Sequence, residues 1–122
     1  MKIEKAMERC IEVAKTSEHR TRVGTVLMKK GKIVQEATNL YKTHTIQAKW
    51  AKKVGKKEQI HLHAEINGMI RCEDWDVMLV ARVDKFDKPR LSKPCSICSA
   101  YIESLGPKKV IYTGKDGNWE EL

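Results

Sequence analysis

The chain has 122 residues, with 24 lysines and arginines against 16 aspartates and glutamates, which gives a formal net charge of +8. This length predicts one domain, residues 1–122, and a hydrophobic content of 41% excludes a disordered or fibrous protein. No apolar run approaches the ~20 residues that cross a bilayer, and the N-terminus lacks a signal-peptide core. We therefore expect a cytoplasmic protein with no membrane partner. We also expect a homo-oligomer, because chains of this size often gain stability by association.

The first half of the chain predicts a helix, a hairpin and a long loop. Apolar residues in Ile3–Ala14 recur at the i, i+3, i+4 spacing of a helix with one buried face. Val23–Met28 and Ile33–Ala37 have the composition of strands, and the short glycine-containing linker between them favours an antiparallel hairpin. The irregular stretch Asn39–Leu62 predicts a long loop with a helical turn around Gln47–Val54, and loops of this length tend to be functional or mobile.

The second half alternates between helices and strands. His63–Cys72 and Cys98–Leu105 are predicted helices, and Val110–Thr113 is a short predicted strand. The run Val77–Val83 is almost continuously apolar, as expected for a strand that is covered on both faces. This alternation predicts a mixed sheet with helices packed on both sides.

Three residues have the types and positions expected for zinc ligands. Cys95 and Cys98 lie at i and i+3 where a predicted helix begins, so both sulfur atoms can face one point, and His63 begins the preceding helix. The positive ends of two helices favour thiolates and an anionic ligand there. Three protein ligands leave a fourth position for water, which distinguishes a catalytic zinc site from a structural one.

Glu65 follows His63 by two residues and is close enough to reach a water at such a site without being a ligand itself. Hydrolytic deamination needs a group that takes a proton from water, delivers one to a ring nitrogen and helps to protonate the departing ammonia. A carboxylate in this position can perform these transfers, so Glu65 is the predicted catalytic proton shuttle.

The pattern His63-Ala64-Glu65 followed by Pro94-Cys95-Ser96-Ile97-Cys98 matches the zinc deaminase signature H-x-E and P-C-x-x-C. The chain resembles the cytidine and deoxycytidylate deaminase superfamily over nearly its whole length, and His63-Ala64-Glu65-Ile66-Asn67 looks most like the deoxycytidylate branch. The resemblance implies a three-layer α/β/α cytidine-deaminase-like fold with a mixed sheet. It also implies a zinc cofactor and deamination of cytosine in a free pyrimidine nucleotide, with dCMP favoured.

The resemblance further implies which residues contact the substrate. The backbone N–H of Ala64 would hold the pyrimidine carbonyl oxygen, and the carbonyl of Lys93, which precedes Pro94, would accept a hydrogen bond from the reacting amine. Asn39 lies after the second predicted strand, where relatives place an asparagine that contacts the sugar, although the glycines usual around that asparagine are missing here. The few residues after Thr113 leave little room for a fifth strand and for the residues that help to hold the phosphate in longer deaminases.

Other interpretations of the same residues stay open. His61 together with the three predicted ligands could make a closed structural zinc site in a binding module without catalysis, and Cys95 and Cys98 could be a redox pair. A deaminase acting on cytosine or adenosine in single-stranded nucleic acid, DNA or tRNA, would use the same metal chemistry.

The segment between Lys42 and Lys57 contains six lysines and no acidic residue, with Tyr41 and Trp50 interleaved. It is expected near the mouth of the site, where it would bind phosphates and stack bases. The alternative is a solvated helix face with Trp50 in the core. The net charge likewise suits a phosphorylated substrate or a polyanion, and ordinary solubility accounts for it equally well.

Overall fold

The computed structural model describes residues 2–56, 61–106 and 108–122, so Lys57 lies outside the described residues. These residues form four helices and six strands, and within them no helix is long and apolar enough to cross a membrane. In chain order the elements are α1 (Ile3–Lys15), β1 (Arg22–Lys29), β2 (Lys32–Thr38), α2 (Thr45–Lys53), α3 (Ala64–Arg71), β3 (Val77–Val83), β4 (Pro89–Arg90), α4 (Ser96–Ser104), β5 (Lys109–Thr113) and β6 (Trp119–Glu121).

The sheet is mixed, as predicted, and its strand order is β2-β1-β3-β5-β6, with β4 pairing the end of β3. The β1–β2 hairpin and the β1–β3 pair are antiparallel, whereas β3 and β5 run parallel and are connected through α4. Parallel neighbouring strands need a crossover connection of this kind, because a tight turn reverses the chain and can join only antiparallel strands.

Three elements differ from the sequence prediction. The helical turn expected around residues 47–54 is a full helix, α2, that starts at Thr45. The two-residue strand β4 was not predicted, and β6 occupies the tail in which little room for a further strand was expected. β6 pairs antiparallel with β5, and all three of its residues are exposed, so it completes the sheet edge without adding to the core.

The two faces of the sheet carry separate hydrophobic cores, which gives the predicted three-layer α/β/α arrangement. Alternate side chains of β3 enter opposite cores, since Leu79 and Ala81 pack with α1, and Met78 and Val80 pack with α3 and α4. The strict alternation of strand side chains produces this division.

Gly24 is required where β1 passes under α1. A Cβ atom at this position would lie 2.5 Å from the backbone nitrogen of Ala14 and 2.8 Å from the carbonyl oxygen of Cys10. Both contacts are with backbone, which cannot move aside as a side-chain end can. Glycine therefore sets the close distance between the first helix and the sheet.

Candidate metal centre

His63, Cys95 and Cys98 meet at one point, as the sequence predicts. Their ligand atoms all lie within 4.8 Å of one another. The His63 Nδ1 atom lies 3.3 Å from Cys98 Sγ and 3.4 Å from Cys95 Sγ. Zinc bonds of ~2.1 Å to nitrogen and ~2.3 Å to sulfur at tetrahedral angles place such atoms about 3.6 Å apart. The donor set and its spacing therefore fit zinc.

Both ligand-bearing segments end at the start of a helix. His63 is the N-cap of α3 and Cys95 is the N-cap of α4, and neither side chain makes the usual capping hydrogen bond to its own helix. The free N–H groups of the first turns leave positive potential at the site. These two N-caps thus point their donor atoms at a common centre that favours anionic ligands.

The electrostatics of the centre separate the two cysteines. Hydrogen bonding from Cys98 and from His63 lowers the pKa of Cys95 to about 4, so its sulfur is a thiolate. The hydrogen bond to Cys95, together with burial, raises the pKa of Cys98 well above its ordinary value. A metal ion that binds here would displace the proton of Cys98, because only deprotonated sulfur and neutral imidazole are ligands.

Glu65 lies in the first turn of α3, on the buried side of the same site, and only 6% of its surface is exposed. Burial raises the pKa of this carboxyl group above its ordinary value. A raised pKa makes a carboxyl group a better proton acceptor, which suits a general acid–base group. The position predicted for the proton shuttle is therefore chemically suited to that task.

A cavity of about 300 Å³ opens over the centre, and we call it the metal-site cavity. Six of the eight residues predicted to bind metal or substrate or to act in catalysis line it: Asn39, His63, Ala64, Glu65, Lys93 and Cys95. Pro94 and Cys98 are not among the described residues that line the cavity. Pro94 is buried and directly precedes Cys95, and its lack of an N–H and fixed φ favour the turn into α4.

Asn39 lines the cavity, but most of its amide is already engaged. Its Oδ1 accepts hydrogen bonds from the Ser17 hydroxyl at 2.6 Å and from the Val23 N–H at 3.1 Å, and its Nδ2 donates to the Thr21 carbonyl. These bonds tie the loop after α1 to the end of β2. Its second amide N–H has no partner among the described residues and can donate to a ligand, so Asn39 shapes the cavity as well as lining it.

The sequence did not identify Gln47 or Ser92, which hold the site in place. The buried Gln47 accepts a hydrogen bond from the His63 N–H at 2.8 Å and donates one to the His61 carbonyl at 2.6 Å. The Ser92 hydroxyl donates to the Val80 carbonyl at 2.8 Å and accepts from the Thr113 N–H at 2.9 Å, which anchors the segment before Cys95 to β3 and β5.

His61 does not join the ligand cluster found among the described residues. Its Nδ1 lies 2.9 Å from His19 Nε2, and both rings pack against Tyr41. His19 carried no interpretable signal in the sequence, yet it lines the metal-site cavity beside His61. The two histidines form part of the cavity wall, and Tyr41 packs against both rings.

The placement expected for the lysine-rich segment is wrong for its helical part. Within residues 43–56, no residue lines the metal-site cavity; Lys49, Lys52 and Lys56 line a separate groove on α2. Trp50 packs against Tyr101 of α4 with ring centroids 5.4 Å apart, and the Lys53 ammonium lies over it at 4.3 Å. Trp50 is therefore part of the helix packing and is not a platform at the cavity.

Comparison with known proteins supplies the family. Residues 1–114 match the cytidine and deoxycytidylate deaminase zinc-binding region. The fold resembles that of the dCMP deaminase from the cyanophage S-TIM5 in complex with dCMP and dUMP, with a TM-score of 0.63 and 22% sequence identity over 94% of this chain and 85% of that chain. The apo form of the same enzyme gives a TM-score of 0.57 and 24% identity over 94% and 86% of the two chains.

A comparison of the sequence with curated proteins finds no match. The family match covers the metal centre and nearly all of the fold, and the His63, Cys95 and Cys98 cluster fits the zinc that this family binds. The chain belongs to the cytidine and deoxycytidylate deaminase family and is a zinc-dependent hydrolase.

Proposed function

We propose that this protein deaminates cytosine in a free nucleotide, converting dCMP and water to dUMP and ammonia. The observation that carries the proposal is the buried Glu65 carboxyl group beside the His63, Cys95 and Cys98 cluster, within one cavity. The structurally similar cyanophage enzyme is a dCMP deaminase with dCMP and dUMP bound. In this proposal residues 1–122 act as one catalytic domain, and the cytoplasmic location and homo-oligomeric state remain predictions.

The chain's own residues would orient the base. Ala64 lines the cavity, and its N–H belongs to the first turn of α3, where it has no partner within that helix; it would donate to the pyrimidine carbonyl oxygen. Lys93 lines the cavity from the segment before α4, and its carbonyl would accept a hydrogen bond from the exocyclic amine. The free N–H of Asn39 would contact the sugar. Together these groups would hold C4 of the base next to Glu65.

Glu65 would move the protons of the reaction. When bound, zinc supplies a Lewis acid that makes an adjacent water a nucleophile near neutral pH. The Glu65 carboxylate would take a proton from this water and deliver it to N3 of the ring as the C4–O bond forms. It would then transfer the remaining hydroxyl proton to the amine, the C4–N bond would break, and ammonia would leave. The carboxylate ends in its starting state, so the cycle balances.

A free nucleotide is favoured over a polymer by where the lysine segment lies. The lysines of α2 and Trp50 were the expected track for a single strand, and neither borders the cavity. A strand that reached Glu65 would have to follow another path.

The experiment compares Glu65→Gln with Glu103→Gln, a matched exposed carboxylate on α4. We expect Glu65→Gln to keep one equivalent of zinc and the native circular dichroism spectrum while its ammonia release from dCMP falls by roughly 10²–10⁴-fold. Glu103→Gln should retain wild-type activity. Substantial activity in Glu65→Gln would exclude the proton-shuttle role.

A second assay tests the substrate. The wild-type protein is assayed with dCMP, CMP, cytidine, deoxycytidine and a 15-nucleotide single-stranded DNA, and turnover of the DNA without turnover of dCMP would overturn the choice of substrate.

A further inference from the structure

Arg82 is the one charged residue in the otherwise apolar strand β3. Strand alternation places its side chain on the same face as Met78 and Val80, which is the face of α3, α4 and the metal centre. Arg82 is exposed and lines the metal-site cavity. Val23 of β1, its partner on the neighbouring strand, lines the same cavity. The charged side chain of this otherwise buried strand therefore borders the candidate active site.

The surroundings of Arg82 leave its charge uncompensated. It lies directly opposite Arg90 of β4, and like charges in this position repel. Arg90 is neutralised by Asp84, with a nitrogen–oxygen distance of 2.8 Å, and Asp87 is paired with Arg22 at 2.6 Å. Among the described residues, the Arg82 guanidinium has no carboxylate or hydrogen-bonding partner. A bound anion would therefore supply the Arg82 guanidinium with the partner that the described residues do not provide.

A second cavity adjoins the metal-site cavity at Arg82, and we call it the basic cavity. Arg82 and Leu91 line both cavities, and the other cationic residues that line the basic cavity are Lys85, Arg90 and Lys115. Asp84 is the one acidic residue of its lining and is already paired with Arg90. The potential at the junction of the two cavities is therefore positive.

We propose that Arg82 binds the phosphate group of the substrate nucleotide at this junction, with Lys115 adding to the positive potential. The inference rests on the proposed function, because it assigns the phosphate subsite of the same active site. A guanidinium presents two parallel N–H donors that match two phosphate oxygens, and it remains charged at every physiological pH. Because Arg82 stands on a central strand, its backbone is already ordered before the ligand arrives, which lowers the entropy lost on binding.

The assignment gives the protein a means of choosing nucleotides over nucleosides. The phosphate dianion of a nucleotide would pair with the Arg82 guanidinium, whereas a nucleoside would fill the metal-site cavity and leave the guanidinium unpaired. Loss of one charge-assisted bidentate contact corresponds to roughly a 10- to 100-fold loss of affinity. The lysines of α2 have no part in this subsite, because Lys49 and Lys52 line a different groove and Lys53 lies over Trp50.

The test measures binding of dUMP and 2′-deoxyuridine to the zinc-loaded protein by isothermal titration calorimetry. We expect Arg82→Gln to weaken dUMP binding roughly 10- to 100-fold and to leave 2′-deoxyuridine binding unchanged. Arg82→Lys should fall between the wild type and Arg82→Gln, because it keeps the charge and loses the paired donors. Arg71→Gln, an exposed arginine at the end of α3, is the matched control and should bind both ligands as the wild type does.

The other outcomes are distinguishable. Unchanged dUMP binding in Arg82→Gln, an equal loss for dUMP and 2′-deoxyuridine, or a wild-type protein that binds neither would overturn the phosphate assignment. If Arg82→Gln weakens binding of a 15-nucleotide DNA and not of dUMP, the arginine serves a phosphodiester and the assignment to a free nucleotide is wrong. Selective loss of dUMP binding in a protein that releases no ammonia from dCMP would support the phosphate subsite and refute the proposed function.

Discussion

Two buried cysteines, one on each face of the sheet, show what separates a packing residue from a ligand. Cys10 of α1 and Cys98 of α4 are both fully buried, and each has a raised pKa. The Cys10 sulfur lies 3.3 Å from the Gly24 carbonyl and 3.4 Å from the Leu79 carbonyl, either of which can accept a hydrogen bond from it, and burial raises its pKa so that it stays a thiol. Cys98 instead faces the His63 nitrogen at 3.3 Å and the Cys95 thiolate. Burial and pKa direction are alike, and the neighbouring groups decide the chemistry.

The largest expected effect comes from replacing each of the two cysteines with alanine. Cys98→Ala should lose the metal and all measurable deaminase activity, because the two remaining protein ligands bind zinc too weakly to retain it when the protein is diluted. Cys10→Ala should retain about one equivalent of zinc and full activity, and it should lower the free energy of unfolding by about 1–2 kcal/mol through lost packing. Metal analysis of the two purified variants, with urea unfolding, checks both results. Loss of zinc from Cys10→Ala would show that the two faces are not independent.

The second comparison is between two glycines on opposite faces. Gly24→Ala should destabilise the protein by about 3 kcal/mol or more, because its methyl group would meet the backbone of α1. Gly68→Ala in α3 should be neutral or stabilising by up to about 1 kcal/mol, since its methyl would lie 3.5 Å from the Thr25 methyl group and alanine favours a helix. Urea unfolding midpoints measure both changes, and equal destabilisation of the two variants would contradict the structure.

The smallest expected effect concerns polar groups within the core on the metal-site face. The buried Thr25 hydroxyl has no hydrogen-bonding partner among the described residues. Thr25→Val removes this unpaired group at little change in shape, so we expect it to raise the free energy of unfolding by about 1 kcal/mol. Ser92→Ala is the control, because its hydroxyl is fully bonded and its removal should destabilise. A Thr25→Val protein that unfolds more easily than the wild type would show that the hydroxyl has a partner.

Local patterns predicted α1, α3, α4 and the longer strands, whereas α2 was expected only as a helical turn. The apolar stripe of α1, the continuous run of β3 and the hairpin between β1 and β2 all depend on neighbouring residues, and the structure confirms them. The strands β4 and β6 were missed because each is held by pairing with a longer strand and buries no apolar face. A two-residue strand that begins with Pro89 has no periodicity to detect.

The metal cluster could be predicted because its ligands lie in two short motifs, each at the start of a helix. Gln47 could not be predicted, because its partners are the backbone groups of His61 and His63, which carry no residue-specific signal. His19 enters the cavity only through the path of the loop after α1. Arg82 did offer a signal, since an arginine within an apolar strand is costly to place without a function or a solvent path. The lysine-rich segment led to a wrong prediction of its position, because the number of charges along a stretch of sequence does not determine which cavity those charges face.

The order in which the metal centre is built follows from its place in the fold. His63 and Cys95 are 32 residues apart in the chain, and β3 with the β4 hairpin lies between them. In the native protein the pairing of β3 with β1 and the crossover through α4 to β5 bring their side chains together. Pairings this distant are slow to form, because closing long loops costs entropy before any contact repays it. We therefore expect a refolding chain to regain its helices first and its capacity to capture zinc late.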